Sequence, residues 1–256
     1  MTKTETIFIT GAASGIGRST ALFFARKGWF VGAYDIDEEG LASLCEEIGE
    51  DRSCYRKMDV TDLRSVREAV EHFSSFTGGE MDVLFNCAGV LRMGPHANLP
   101  VEEQHLIVDV NLKGILNCIN ASFELLKRTK GARIINMSSA SALYGMAEFA
   151  VYSATKSAVS SLTESLNLEF ERYDIYVNDV RAPYVDTPLL RRNVNAGSIE
   201  RMGVKLKPED VSEVVWRASK RKKLHNDTKG VGQLVLMLSL PTFIKRGILK
   251  ALLLSK

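Results

Sequence analysis

The sequence has few cysteines and no feature of a secreted protein. Cysteine occurs at four positions, Cys45, Cys54, Cys87 and Cys118, and no two of them form a C-x-x-C pair. Residues 1–5 are polar and a strand pattern follows at once, so no secretory leader is expected. We therefore expect free thiols in a reduced, cytoplasmic setting rather than a disulfide framework.

The sequence also lacks metal-binding spacing, long apolar runs and a strong overall charge. Its four histidines show neither H-x-x-x-H nor Cys/His spacing, so no metal site is expected. No apolar run reaches the length that crosses a bilayer. The formal net charge of +2 provides no strong attraction to nucleic acid, and no such partner is expected. The charge is uneven, however, because residues 214–256 hold ten Lys or Arg against one Asp, a local net charge of +9.

Apolar runs of strand length alternate with longer helical patterns along the chain. The predicted strands are residues 6–10, 30–34, 53–57, 83–86, 133–137 and 175–180. The predicted helices are residues 16–27, 38–48, 63–76, 102–129, 150–173 and 208–220. Such alternation predicts βαβ units, and strands that are apolar throughout indicate a sheet covered on both faces. The sequence therefore predicts one α/β domain over residues 1–256, a doubly wound parallel sheet with helices on both faces.

A glycine-rich turn follows the first predicted strand and opens the first predicted helix. Residues 10–17 read TGAASGIG. Gly11 permits a tight turn, Gly15 lets the backbone approach a pyrophosphate, and Gly17 lets the helix pack close to the sheet. The unpaired N–H groups at the start of a helix attract phosphates. The turn predicts a Rossmann-like dinucleotide site, and a turn without a ligand is the alternative.

Asp35 ends the second predicted strand, where a carboxylate can accept hydrogen bonds from both hydroxyls of an adenosine ribose. The same carboxylate would repel a 2′-phosphate, and its neighbours Tyr34, Ile36 and Asp37 include no cation. NAD is therefore favoured over NADP. Asp35 could instead cap the next helix, although Asp37 is better placed for that cap. Arg18, the one basic residue close to the turn, keeps NADP as an alternative.

Tyr152 and Lys156 lie four residues apart, so a helix places them on one face. A nearby cation favours the phenolate and lowers the pKa of a phenol, which makes the pair a device for moving a proton. Ser139 follows an apolar strand, at the edge where parallel sheets bind ligands. Each residue also has an ordinary interpretation: a solvated lysine, a core tyrosine and a helix-capping serine.

Together these residues resemble the short-chain dehydrogenase/reductase family over about residues 6–218. The turn matches that family's TGxxxGxG pattern, and NCAG at residues 86–89 resembles its NNAG motif at the end of a strand. MDV at residues 58–60 is similar to its adenine-pocket segment. Ser139, rather than Ser138, stands thirteen residues before Tyr152, the spacing at which the family keeps its catalytic serine and tyrosine.

The resemblance implies a site assembled from residues far apart in the sequence. The catalytic residues it implies are Asn111, Ser139, Tyr152 and Lys156. The cofactor-binding residues it implies are Gly11, Ser14, Gly15, Ile16, Gly17, Asp35, Asp59, Val60, Asn86, Ala88, Gly89, Tyr152, Lys156, Pro183, Val185 and Thr187. In that family the aspartate equivalent to Asp59 reaches the adenine amino group, and the last three residues contact the nicotinamide end.

The activity implied by the resemblance is hydride transfer between NAD and a secondary alcohol or ketone. Ser139 would hold the substrate oxygen, and Tyr152 would exchange a proton with it. Lys156 would lower the pKa of Tyr152 and bind the nicotinamide ribose, and Asn111 would hold a water that links Lys156 to solvent. An NADPH-dependent carbonyl reductase and a non-catalytic dinucleotide-binding sensor or scaffold are the alternatives.

The segment that begins at Tyr184 has one departure from the family pattern and little regular structure. Tyr184 stands where the family has glycine after the proline, so either the loop has a different shape or the ring projects into the mouth of the site. Residues 184–207 are the least regular stretch of the chain and predict a substrate lid.

The C-terminal extension, residues 232–256, is both apolar and basic. From Phe243 onward, apolar residues alternate with Lys245, Arg246 and Lys250 at helical spacing. Two interpretations are open: peripheral contact with a membrane, with the cations toward anionic headgroups, or a cover over the substrate cleft or a subunit interface.

Either interpretation suits a lipophilic small-molecule substrate, such as a hydroxysteroid or a long-chain alcohol. The apolar residues near the expected pocket are Leu91, Met93, Leu143, Tyr144 and Met146. Members of the family are commonly built into dimers or tetramers on two long helices. The resemblance therefore implies a homodimer or homotetramer.

Overall fold

One parallel β-sheet forms the centre of the protein. The computed structural model describes residues 4–192, 203–204 and 206–253, and within them the sheet has seven strands in the order β3-β2-β1-β4-β5-β6-β7. The strands are β1 (Thr6–Thr10), β2 (Phe30–Asp35), β3 (Ser53–Lys57), β4 (Val83–Asn86), β5 (Arg133–Met137), β6 (Tyr176–Arg181) and β7 (His225–Asp227). Every adjacent pair is parallel, so the predicted doubly wound, Rossmann-like sheet is confirmed.

Helices cover both faces of the sheet. They are α1 (Gly15–Arg26), α2 (Glu38–Ile48), α3 (Leu63–Thr77), α4 (Val101–Val108), α5 (Gly114–Arg128), α6 (Ala150–Glu169), α7 (Pro188–Arg191), α8 (Pro208–Lys220), α9 (Val231–Leu238) and α10 (Thr242–Leu253). Helices α1, α2 and α8 pack on one face, whereas α3, α5 and α6 pack on the other. The helix predicted over residues 102–129 is divided into α4 and α5 by a π-helical turn, Asp109–Lys113.

The alternation of side chains along β1 builds the two cores. Ile7 and Ile9 belong to the core that α1, α2 and α8 cover. Phe8 points to the opposite face, where its ring stacks on Tyr34 at a centroid distance of 4.1 Å and meets the edge of Phe73. All three β1 side chains are fully buried, and each such burial stabilises the fold by about 1.5–3 kcal/mol.

The carboxyl edge of the sheet holds the loops that carry the sequence motifs. β1 lies between β2 and β4, so the chain leaves the two central strands toward opposite sides of the sheet. The Thr10 hydroxyl accepts hydrogen bonds from the backbone N–H groups of Cys87 and Ala88, both at 3.0 Å, which ties the ends of β1 and β4 together. Ligands of doubly wound sheets bind at such a switch point.

The C-terminal part of the chain adds elements beyond the predicted set. β7 extends the sheet, and α9 and α10 follow it as two helices joined by residues 239–241. Among the described residues, none of the helices combines the length and the apolar character needed to cross a membrane. Residues 193–202 and 205 of the predicted lid lie outside the described residues.

Candidate active site

A cavity of about 780 Å³ at the carboxyl edge of the sheet brings the predicted site residues together. The glycine turn, Asp35 and Asp59 line it, and so do Ser139, Tyr152 and Lys156. Pro183, Val185 and Thr187 also line it, as do Ala88 and Gly89. The two predicted site residues that stand behind its wall are Asn86 and Asn111.

The glycine turn has no room for a side chain at Gly11 or Gly17. Gly11 has a φ of +70°, and a Cβ on it would lie 2.8 Å from the Cα of Ala88. A Cβ on Gly17 would lie 2.0 Å from the carbonyl oxygen of Gly11. Helix α1 begins at Gly15, its N-cap residue Ser14 makes no side-chain capping bond, and its first turn has no acidic residue. The first N–H groups of α1 and the helix dipole therefore fit a pyrophosphate.

Asp35 connects the end of β2 to the glycine turn. One carboxylate oxygen accepts a hydrogen bond from the backbone N–H of Ala13 at 3.1 Å, and the other accepts from Asp37 at 3.1 Å. Asp37 caps α2 by accepting from the N–H of Gly40 at 3.0 Å, as the sequence predicted. Each carboxylate oxygen of Asp35 has a further lone pair, so the group can also accept from ribose hydroxyls.

Arg18 contacts α2. Its guanidinium donates to the carbonyl oxygen of Gly40 at 3.1 Å and forms an ion pair with Glu47 at 2.9 Å. These bonds hold the guanidinium of Arg18, the group that kept NADP as an alternative cofactor.

The segment after β3 forms the end of the cavity near Asp59. One oxygen of that carboxylate accepts from the backbone N–H and the hydroxyl of Thr61, at 2.8 and 2.7 Å. The carbonyl oxygen of Val60 accepts from Asn117 at 2.9 Å. Gly114 opens α5 against this segment, because a Cβ there would lie 2.7 Å from Val60 Cγ2.

Asn86 and Asn111 support the wall of the cavity. Asn86 is buried and donates across the sheet to Asn136 at 2.9 Å. Asn111 lies in the π-helical turn, where its side-chain amide accepts from the N–H of Val90 at 2.8 Å and donates to the carbonyl of Val90 at 2.9 Å. In the structure its side-chain amide holds the loop after β4. That Asn111 also holds a water stays a prediction.

Helix α6 places Tyr152 and Lys156 on one face, toward the end of β5. The Lys156 ammonium nitrogen lies 5.6 Å from the centroid of the Tyr152 ring and donates to the carbonyl oxygen of Met137 at 2.7 Å. Ser139 and Tyr152 line the same cavity. The Ser139 Oγ accepts from the backbone N–H of Ser141 at 3.1 Å, so Ser139 caps the 3-10 turn Ala140–Ala142.

Burial is the largest influence on the acidity of these groups. Burial raises the pKa of Tyr152 to about 12, although the hydrogen bond to Ser139 lowers it. Burial also lowers the pKa of Lys156 to about 8. An apolar surrounding disfavours both charged forms, and the lowering of the Tyr152 pKa by Lys156 stays a prediction.

Ser138 and Cys87 lie next to the predicted catalytic residues but have other surroundings. The Ser138 hydroxyl pairs with Ser160 at 3.0 Å and contacts the carbonyl oxygen of Lys156 at 3.3 Å, inside the protein. Burial raises the pKa of the Cys87 thiol to about 12, so this thiol stays protonated. Within the described part of the chain, no group of three His, Cys, Asp or Glu side chains could hold a metal ion.

Tyr152 belongs to an apolar cluster. Its buried members are Leu91, Met146, Phe149, Leu190 and Leu249. Its partly buried members are Met93, Tyr144, Ala147, Tyr152, Tyr184, Leu189, Met237 and Leu238. Four of the five predicted pocket residues belong to this cluster, and Leu143 does not. Phe149, Leu190 and Leu249 are buried members that were not among the predicted pocket residues. Phe149 stands three residues before Tyr152, and this spacing is a usable signal.

Tyr184 fits its loop without the backbone freedom of glycine. Among the described non-glycine residues, only Glu148 and Asp174 have a positive φ, so Tyr184 has an ordinary backbone conformation. Its ring lies 6.4 Å from the ring of Phe149 and lines the cavity. Tyrosine in place of the family's glycine therefore adds an aromatic ring to the wall of the cavity.

Comparisons with known proteins identify the family of this chain. A model of the short chain dehydrogenase family matches residues 5–197. Oxidoreductase UcpA of Salmonella typhimurium (strain LT2) is 34% identical over 238 residues, which cover 92% of this chain and 87% of that protein. Cyclohexanol dehydrogenase of Acinetobacter sp. (strain SE19) is 31% identical over 215 residues, which cover 81% of this chain and 84% of that protein.

A solved structure extends the likeness to three dimensions. The 3-ketoacyl-(acyl-carrier-protein) reductase from Brucella melitensis, complexed with NADH, superposes with a TM-score of 0.79 at 30% identity. The match covers 87% of this chain and 96% of that one. The chain belongs to the short-chain dehydrogenase family and is an oxidoreductase that uses a nicotinamide cofactor.

Proposed function

We propose that the protein is an NAD-dependent dehydrogenase of apolar secondary alcohols, or the reductase of the corresponding ketones. The observation that carries this proposal is the single cavity that joins the glycine turn, Tyr152 with Ser139 and Lys156, and the apolar cluster. The nicotinamide would supply or accept the hydride when bound. The chain itself would orient the substrate, exclude water and move the proton.

The proton chemistry belongs to Tyr152. In ketone reduction its hydroxyl donates a proton to the substrate oxygen, and in alcohol oxidation the phenolate oxygen accepts that proton. The Ser139 hydroxyl donates a hydrogen bond to the same substrate oxygen. The Lys156 cation lies against the tyrosine ring and stabilises the charge that appears when the proton leaves. Asn111 positions these groups by holding the loop at Val90.

The residues that would hold the cofactor fall into four groups along the cavity. Gly11, Ser14, Gly15, Ile16 and Gly17 would hold the pyrophosphate, Asp35 the adenosine ribose, and Asp59 and Val60 the adenine. Asn86, Ala88 and Gly89 would shape the adjoining wall, and Tyr152, Lys156, Pro183, Val185 and Thr187 would hold the nicotinamide end. All except Asn86 line the cavity.

Charge favours NAD over NADP as the cofactor. The carboxylate of Asp35 lies beside the turn and would repel a 2′-phosphate. Arg18, the basic residue close to the turn in sequence, is held by Gly40 and Glu47 on α2. An NADP-specific site instead needs a cation that is free to reach the phosphate.

Titration with NADH and NADPH, followed by quenching of protein fluorescence, tests the cofactor. We expect NADH to bind at least tenfold more tightly, because the extra phosphate carries charge toward Asp35. Asp35→Asn should remove most of that preference. Asp37→Asn, the matched control, deletes an equal charge two residues away and should keep it. Tighter binding of NADPH by the unmodified protein would refute the assignment.

The apolar cluster around Tyr152 supports a substrate with little polar surface. The name of the relative cyclohexanol dehydrogenase points to a compact secondary alcohol of the same chemical class. The test is NAD-dependent oxidation of cyclohexanol, a hydroxysteroid and a long-chain secondary alcohol. Tyr152→Phe should reduce turnover by about 10²–10⁴-fold. Tyr184→Phe removes a hydroxyl from the same cavity and should remain active. Cofactor binding without any turnover would instead indicate a sensor.

Exposed leucines on α5 and α6 support the proposed homodimer or homotetramer. Leu116 on α5 and Leu168 on α6 expose 45% and 75% of their surface. Burying them against a second copy would remove this apolar area from water. Light scattering after gel filtration should give a dimer or tetramer, and Leu168→Glu should weaken it. A monomer at micromolar concentration would contradict the proposal.

We also propose that residues 184–207 act as the substrate lid. Tyr184, Val185 and Leu190 line the cavity, and a backbone bridge joins Val185 to Leu206 at the other end of the segment. Helix α7 lies between these points, so the described part of the segment closes one side of the cavity. Limited proteolysis between α7 and α8 should slow when cofactor is present, and equal cleavage rates would contradict a lid.

A further inference from the structure

The inner face of α9 and α10 closes the substrate side of the cavity. Leu234 lines the cavity, and Met237 and Leu238 pack against the apolar cluster around Tyr152. On α10, Leu249 is 5% exposed within the same cluster. One of the two interpretations of the C-terminal extension is therefore observed: part of it covers the cleft.

The outer side of the same two helices is a concentrated apolar surface. We call residues 235–244, from the second half of α9 to the start of α10, the tail tip. Its exposed large side chains are Val235, Leu236, Leu240, Phe243 and Ile244, which expose 44%, 74%, 38%, 77% and 40% of their surface. Elsewhere in the described residues, exposed large apolar side chains are spread from Ile36 to Val204. Contiguous exposed apolar surface of this kind marks an interaction site.

The tail tip lies in a segment of positive charge only. After Asp227 the sequence contains no Asp or Glu. Arg246 and Lys250 are exposed on α10, directly after the tip. The Lys245 ammonium group lies 5.5 Å from the ring of Tyr144 and donates to the carbonyl of Leu238, so it remains close to the cluster.

These charges discriminate between the surfaces that could cover the tip. A second copy joined by a two-fold axis would bring the same cations near each other, because such an interface uses the same patch on both subunits. A bilayer with anionic lipids accepts the apolar side chains between its headgroups and attracts the cations. α9 and α10 have 8 and 12 residues, which suits helices that lie at the interface.

We propose that the tail tip docks on the surface of a membrane that contains anionic phospholipid. The apolar side chains of the tip enter the headgroup region, while Arg246 and Lys250 face the phosphates. Leu234 lines the cavity two residues before the exposed Leu236, so the docked surface adjoins the substrate side of the site. Resting on the proposed function, the docked protein would take a lipophilic alcohol or ketone from the bilayer.

Sedimentation of the full-length protein with vesicles tests the docking. Vesicles of phosphatidylcholine alone are compared with vesicles that contain about 30% phosphatidylglycerol, at about 0.1 M and 1 M salt. We expect at least tenfold more bound protein on the anionic vesicles at the lower salt concentration, because high salt screens the attraction. Equal binding to both vesicle types, or no binding to either, overturns the proposal.

Variants separate the apolar and the electrostatic parts. The double variant Leu236→Ser with Phe243→Ser should lower binding to anionic vesicles at least tenfold. Phe76→Ser, which alters a 55% exposed aromatic side chain on α3, is the matched control and should bind as before. Arg246→Gln with Lys250→Gln should lower binding to anionic vesicles and remove its dependence on salt. Dissociation of the oligomer by the first double variant would identify a subunit interface and overturn the proposal.

Turnover of cyclohexanol without vesicles distinguishes this proposal from the proposed function. The double variant Leu236→Ser with Phe243→Ser should oxidise cyclohexanol at the normal rate, because neither side chain lines the cavity. Wild-type protein that oxidises cyclohexanol but binds no vesicles would refute the docking alone. Vesicle binding without turnover of any alcohol would refute the proposed function and leave the docking in place.

Discussion

Replacing Lys156 with methionine should stabilise the protein near neutral pH and make it inactive. The Lys156 side chain is 3% exposed, and burial lowers its pKa from 10.5 to about 8. A lowered lysine pKa means that the folded state holds this proton less tightly than the unfolded chain. Below pH 8 the ammonium is charged in both states, so its burial opposes folding in full. A shift of about 2.5 pKa units corresponds to about 3 kcal/mol.

The same pKa shift determines how the stability difference between wild type and Lys156→Met changes with pH. As the pH rises from 8 to 10.5, the folded protein loses the proton first, so the wild type regains stability relative to Lys156→Met. About 2 kcal/mol of the difference should be regained by pH 9.5. Urea unfolding, followed by tryptophan fluorescence at pH 7.0, 8.5 and 9.5, measures this difference at constant protein concentration. Lys113→Met, which removes a 64% exposed lysine side chain, is the control and should show no such trend.

A constant difference between wild type and Lys156→Met across this pH range would refute the reasoning. It would mean that the ammonium is stabilised inside the protein as well as in water, through its bond to the carbonyl of Met137. The activity of Lys156→Met is measured separately from its stability. Lys156→Met should lose most turnover at every pH, because no other cation lies so close to the ring of Tyr152 among the described residues.

Three further substitutions test packing and charge elsewhere. His225→Ala removes the imidazole that bonds Asp179 at 3.0 Å. Because burial already raises the pKa of Asp179, the variant's stability relative to wild type should fall as the pH rises from 5 to 8 in urea unfolding. Gly17→Ala places a Cβ 2.0 Å from the Gly11 carbonyl oxygen, so NADH titration should show at least tenfold weaker binding. Leu249→Ala should lower stability by about 2–5 kcal/mol, seen in thermal unfolding, and raise the KM for apolar alcohols.

The parts of the fold that local pattern determines were predictable. The apolar strands and the glycine turn depend on residues close in sequence, and their bounds agree with the structure within about a residue. β7 was missed because His225–Asp227 is polar and forms a strand only by pairing with β6. The π-helical turn within the predicted long helix was missed for a similar reason. Asn111, inside that turn, is bonded to Val90, on a loop from another strand.

The pKa values of Tyr152 and Lys156 could not be predicted from the spacing of the two residues alone. The spacing of four residues on a helix correctly predicts that Tyr152 and Lys156 share a face. Their pKa values, however, depend on how much water surrounds them, and this depends on the strands and loops that enclose α6. Burial raises the pKa of Tyr152 and lowers that of Lys156. This effect of burial is larger than the opposite effect expected from the attraction between the two charged groups.

The cover over the substrate side depends on packing between residues far apart in the sequence. Leu249 packs into the same cluster as Phe149, one hundred residues earlier in the chain, and the amphipathic pattern of α10 predicts only that some face must be buried. Pattern alone could not choose between a membrane and the cleft. The structure shows that the two helices present apolar side chains on both sides, inward through Leu249 and outward through Leu236 and Phe243. A segment that closes an apolar cavity and also exposes an apolar surface beside it links substrate access to whatever that surface contacts.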